Sequence, residues 1–246
     1  MCTVAFFAIV AQFLYWNKLG GTHVDAFTTI GSSAAAVIVN TCTCTNYHGK
    51  QIRNIKQSVQ IALMLALTVL MAMHNIDFKR IACITVPLVI GYNTNAIGMH
   101  SKKTQIVGFK NFFVGALWTL WILGTTGTFP PRTWFEFAVC QSYFRYAVQL
   151  AVIHDFGNVS SDRINNVMTF PVKLGTEDAL QFLSAHALIS FIEAILIYQS
   201  VPLLLTAFCA FVCFLTVDLN RSKNGNRVCL ALQVIPLLIS LCAEMV

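Results

Sequence analysis

Two aspartates and a carboxamide stand three and four residues apart in the middle of this chain: Asp155, Asn158 and Asp162. On a continuing helix such residues share one face and aim their oxygens at one place. Oxygen donors on a short segment suit a hard cation. Mg²⁺ in particular keeps several waters and binds through one or two carboxylates plus the phosphates of a substrate. Arg163 and Lys173 lie close by in sequence and add the positive charge that a diphosphate also attracts. The same stretch also reads as a polar loop between two apolar helices, with Asp capping backbone N–H groups and Gly157, Pro171 and Gly175 ending helices. Spacing alone leaves both readings open.

The elements that must position these residues are set by composition. The chain has 246 residues, of which 57% are hydrophobic and only 11% charged, and its mean hydropathy is +0.68. Such values exclude an ordinary soluble domain and predict an all-α, polytopic membrane helical bundle, one domain over 1–246. The net charge of +6 does not point to nucleic acid, because the bases are scattered over the loops and never form a basic face with aromatics between. Most of the nine cysteines, among them Cys83, Cys140 and Cys209, sit inside apolar runs, where a thiol behaves as a small hydrophobe. Cys42 and Cys44 are a close pair with no second pair near them, so they read as residues of a helix end rather than as a metal site. The first apolar run begins almost at Met1, without a basic n-region or a small-residue cleavage site, and no cleavable signal is expected.

About twenty apolar residues cross a bilayer, and fewer suffice inside a bundle. On that basis the spans fall at 3–16, 26–42, 58–73, 81–99, 111–127, 134–153, 179–198, 201–217 and 228–245, about nine transmembrane helices. The second, with Gly31-Ser32-Ser33-Ala34-Ala35-Ala36, is rich in small residues that let helices approach closely and is expected in the interior. Pro130-Pro131 ends the fifth. Lys50, Arg53, Lys56, Lys102, Lys103, Lys110, Arg163, Lys173, Arg221, Lys223 and Arg227 then fall on one side of the membrane. Lys18, Lys79, Arg80 and Arg132 fall on the other. The positive-inside rule makes the richer side cytoplasmic, and the acidic stretch with it.

The run Asp155-x-x-Asn158-x-x-x-Asp162-Arg163, followed by Thr169-Phe170-Pro171-Val172-Lys173-Leu174-Gly175, resembles the second aspartate motif of the UbiA superfamily of intramembrane prenyltransferases. That motif has the form Asp-x-x-Asp-x-x-x-Asp, with Thr-x-Pro-Val and Leu-Gly about a dozen residues on; Asn158 stands where its middle Asp would be. The resemblance implies a helical bundle open to lipid, in which acidic motifs hold Mg²⁺ on an isoprenoid diphosphate. Ionisation of the diphosphate would leave a carbocation-like centre for a lipophilic, aromatic acceptor. It assigns Asp155 and Asp162 to the metal, Asn158 to assist them, and Asn40, Arg53, Lys103, Arg163 and Lys173 to the substrate. The first motif of the family, Asn-x-x-x-Asp-x-x-x-Asp, aligns with Asn40, Cys44 and His48, so both of its acids are replaced. A second reading therefore stands beside the transferase: a non-catalytic relative that binds an isoprenoid or quinone-like lipid, or a membrane partner.

Glu136 and Arg145 fall inside the sixth span and Glu193 inside the seventh. Glu136, beside Trp134 at a helix start, is expected at the interface, and Arg145, deeper in the sixth span, is expected to pair with Glu193. His154 reads either as a proton acceptor or as a helix-end residue bonding a carbonyl.

Overall fold

A computed structural model of the chain describes residues 9–10, 16, 25–48, 66, 68–94, 105–127, 129–199, 204–205, 207–208 and 211, with side chains for all but 39–48, 93 and 94. Among the described residues there is no strand. The helices are α1 (Ala26–His48), α2 (Ile76–Thr94), α3 (Phe109–Gly124), α4 (Trp134–Phe156), α5 (Val159–Ile164), α6 (Phe170–Lys173) and α7 (Thr176–Glu193), the last running into a π turn at Ala194–Tyr198. Residues 68–74 are helical as well. The chain divides into two compact units, one of residues 1–99 with 119–136 and the other of 100–118 with 137–246.

In the first unit, Asp25 caps α1, its two carboxylate oxygens accepting from the Thr28 N–H at 2.8 Å and the Thr28 hydroxyl at 2.7 Å. Those bonds favour the charged form and hold the Asp25 carboxyl below the usual carboxylate range. A depressed folded pKa contributes stability above the unfolded value of about 3.9, and that contribution is lost as pH falls through the folded one. Asp25→Ala is therefore expected to cost about 1 kcal/mol at neutral pH, and the gap between the two proteins in thermal unfolding should close on acidification below about pH 4.

The small residues of α1 do what their size predicts. Ser32, Ser33, Ala34 and Ala35 are buried. A Cβ on Gly31 would come within 2.9 Å of the Met71 side chain, so the helices meet there at a distance only glycine allows. The Trp121 indole N–H donates to the Ser32 carbonyl at 3.1 Å, and its ring meets Phe78 edge-on at 5.5 Å.

The connector expected between the third and fourth spans, residues 74–80, is shorter than its polarity suggests. Only Asn75 is non-helical. Its side-chain oxygen accepts the Phe78 N–H at 2.8 Å and starts α2 at Ile76, so the charged residues Asp77, Lys79 and Arg80 become the first turns of a helix. α4 starts with a reciprocal cap: Thr133 Oγ1 accepts the Glu136 N–H at 3.1 Å, and the Glu136 carboxylate accepts the N–H groups of Thr133 and Arg132.

The second unit is held by aromatic packing. Val148, Val152 and Ile153 of α4 pack on Leu183 and Ala187 of α7. Phe170 stacks on Phe182 at 4.4 Å and meets Phe112 edge-on at 5.8 Å, while Phe112 stacks on Phe144 at 6.3 Å. Each such pair adds about 0.5–1.5 kcal/mol beyond its buried area, and together they tie α3, α4, α6 and α7 at one end. The stretch Thr176–Tyr198 is long and apolar enough to cross a membrane. Its Leu188, Ile189, Ile192, Ile195 and Leu196 are exposed, an apolar face of the kind lipid covers.

Candidate functional site

The acidic stretch does not continue as one helix. α4 ends at Phe156, the chain turns at Gly157-Asn158, and α5 begins at Val159. Backbone bonds bridge the turn, from Asn158 N–H to the Asp155 carbonyl at 2.9 Å and from Asp162 N–H to the Asn158 carbonyl at 2.8 Å. Asp155 and Asp162 are thereby kept near each other, while Asn158 is rotated away. Its carboxamide nitrogen donates to the His154 carbonyl at 3.4 Å and lies 3.1 Å from His154 Nδ1.

What gathers the two acids is a lysine from another helix. Lys110 Nζ lies 2.6 Å from Asp155 Oδ1 and 3.2 and 3.0 Å from the two oxygens of Asp162. The next residue, Asn111, donates from Nδ2 to Asp155 Oδ2 at 2.8 Å. Every carboxylate oxygen of the pair thus has a donor. Asp155 and Asp162 are buried, and Asn111 is fully so, whereas the Lys110 side chain keeps 23% of its surface exposed. Two carboxylates around one ammonium leave one net negative charge in a largely desolvated place.

The loop before α3 fixes Lys110 there. Gly108 adopts φ +72°, its N–H donates to the Met168 carbonyl at 2.8 Å, and Phe170 lies where a Cβ would stand. Only glycine takes that conformation readily and leaves that space. Asn166, at φ 54°, ends α5, and the N–H of Val167 returns to the Asp162 carbonyl at 2.8 Å, holding Asp162 from behind.

Of the residues singled out from the sequence, Asp155 and Asp162 converge. Arg163 and Lys173 are exposed, on α5 and α6. Asn40, Cys44 and His48 follow one another along α1 at the motif's spacing, while Arg53 and Lys103 lie outside the described residues. Lys110 and Asn111 carried only a weak signal: two polar residues opening an otherwise uncharged helix.

Deeper in α4, Arg145 pairs with Glu193 of α7, as expected. Ser142 Oγ donates to Glu193 at 2.7 Å and lies 2.9 Å from the Tyr198 hydroxyl, across from the π turn.

The donor chemistry at the α3–α4 end admits a hard cation. Asp155 and Asp162 supply carboxylates, and the carboxamide oxygen of Asn111, buried beside them, has no hydrogen-bond partner among the described residues. No group of three or more His, Cys, Asp or Glu gathers among the described residues. Two carboxylates and an amide oxygen fit Mg²⁺, which completes its shell with water and phosphate.

No family model matches the sequence, and no curated protein matches it. A solved structure does resemble it: the apo structure of a UbiA homolog from Aeropyrum pernix K1, with a TM-score of 0.70 over 100% of this chain and 99% of that one, at 14% identity. The chain has the fold of a UbiA homolog.

Proposed function

We propose that this protein is a UbiA-like intramembrane prenyltransferase. It moves a prenyl or polyprenyl group from an isoprenoid diphosphate to a lipophilic acceptor, as a multi-pass integral membrane protein with its acidic stretch on the cytoplasmic side. The observation that carries the reading is the convergence of Asp155 and Asp162 at the end of α4 in a chain with the fold of a UbiA homolog. Asp155, Asp162 and the amide oxygen of Asn111 would hold Mg²⁺, with Asn158 entering only by turning from His154. Bound there, the ion supplies positive charge against the negative charge that grows on the leaving diphosphate. Arg163 and Lys173 offer further cations to phosphate oxygens, and Asn40, Arg53 and Lys103 are proposed substrate contacts by resemblance. Apolar helix faces exclude water from the carbocation-like centre until the acceptor captures it.

A non-catalytic isoprenoid binder is the second reading. It is favoured by the Cys44 and His48 positions and by the fact that Lys110 and Asn111 already satisfy every oxygen of the acidic pair.

Binding of farnesyl diphosphate to the purified protein in detergent separates the two. The transferase reading expects binding at least about tenfold tighter with Mg²⁺ than without, a difference of about 1.4 kcal/mol, and loss of that difference in Asp155→Ala/Asp162→Ala. Binding indifferent to metal and to both substitutions would support the binder; no binding at all would reject the transferase reading.

A further inference from the structure

The acidic pair is already occupied by a cation of the chain's own. Lys110 Nζ stands within 3.2 Å of three of the four carboxylate oxygens, and Asn111 holds the fourth. Mg²⁺ binds oxygen at about 2.0–2.1 Å. A divalent ion and an ammonium cannot both sit between these two carboxylates. Lys110 is also the least buried member of the ion cluster: its side chain keeps 23% of its surface exposed against 1% for Asp155 and 11% for Asp162. A lysine is a point charge on a flexible four-carbon stem, able to trade one anion for another within its reach.

We infer that Lys110 is a tethered counter-ion that closes the Asp155–Asp162 pair and exchanges against the divalent ion when a diphosphate arrives. In the empty protein the ammonium satisfies both carboxylates and keeps the divalent ion out. A diphosphate brings a second anion beside the pair. Lys110 swings to its oxygens, the ion takes the carboxylates, and the Asn111 amide oxygen, which has no hydrogen-bond partner among the described residues, joins it. No covalent bond of the protein or the diphosphate is made or broken in the exchange; hydrogen bonds of Lys110 are traded for ion–oxygen contacts. Metal and diphosphate then bind together or hardly at all, so the buried acids do not take up a bare ion. The inference rests on the metal-dependent reading of the site, and it gives Lys110 two effects of opposite sign: its removal should strengthen divalent-ion binding and weaken diphosphate binding.

The test is Mn²⁺ binding to the full-length protein in detergent, followed by the electron paramagnetic resonance signal of the free ion, with no diphosphate present. Wild type is expected to bind weakly. Lys110→Gln should bind at least about tenfold tighter, a modest share of what removing an adjacent charge allows, and Asp155→Asn in the same background should abolish the gain. With Mg²⁺ present, farnesyl diphosphate should bind Lys110→Gln more weakly than wild type. Equal Mn²⁺ affinity in wild type and Lys110→Gln would overturn the exchange. Should Lys110→Gln fail to fold, Lys110→Met decides: it keeps an unbranched stem, removes the charge and must likewise bind Mn²⁺ at least about tenfold tighter than wild type, and an affinity equal to wild type would overturn the inference. Because the Mn²⁺ measurement contains no diphosphate, its failure is distinct from a failure of the transferase reading.

Discussion

Arg145→Leu is expected to cost about 3–5 kcal/mol of stability. Arg145 is buried, and its guanidinium is bonded to Glu193 and to Ser142. Removing it leaves the largely buried Glu193 carboxylate with the Ser142 hydroxyl as its remaining hydrogen-bond donor among the described residues. Glu193→Leu should be about as damaging, for the converse reason. The two together should recover most of the loss, since a buried ion pair replaced by apolar side chains of similar volume is often neutral or stabilising. Thermal unfolding in detergent, followed by helical circular dichroism, measures all three. A double variant as unstable as the sum of the singles would mean that the residues act independently and that the pair is not what holds α4 to α7 at this level.

Gly108→Ala should cost about 2–5 kcal/mol and also cost the site its geometry. A left-handed backbone at a non-glycine residue costs about 1–2 kcal/mol, and overpacking adds about 1–3 kcal/mol. Both apply here: φ is +72° and the new Cβ would lie 2.4 Å from Phe170 Cε2. Because Gly108 precedes Lys110 by two residues and is bonded to the Met168 carbonyl, relief of the clash must move the start of α3 relative to the loop after α5. Lys110 and Asn111 would then lose their places on Asp155. Mg²⁺-dependent binding of farnesyl diphosphate is the functional measurement, expected to fall at least about tenfold. Gly175→Ala is the matched control. Its φ of +88° with ψ 176° is likewise a backbone that glycine takes readily and alanine does not, but nothing lies within 4 Å of its Cβ position, so it should cost stability without disturbing the Lys110 cluster. Equal losses of binding in the two variants would remove Phe170 and the Gly108 contact from the account.

The interior face of α1 was legible because a run of Gly, Ser and Ala has few roles other than close helix contact, and Gly31 against Met71 is that contact. The Arg145–Glu193 pair was legible because an apolar span rarely leaves an ion alone. Helix positions followed from hydropathy, with errors of a few residues where capping decided the end. Asn75 starts α2 inside a segment whose charges suggested a loop, and hydropathy does not register a side chain that supplies a helix's first hydrogen bond.

The sequence by itself determined the helical class, the course of most helices through 26–198 and the proximity of Asp155 to Asp162, because these depend on local periodicity and on residues a few positions apart. Only the tertiary structure decided what stands between the two acids. The turn at Gly157-Asn158 rotates Asn158 toward His154, while Lys110 and Asn111 arrive from 45 and 44 residues away. The physical reason is that a buried carboxylate must find its counter-charge wherever packing brings one. Here the contacts of Phe112 and Gly108 with Phe170 carry the start of α3 to the end of α4, a meeting that no spacing along the chain encodes.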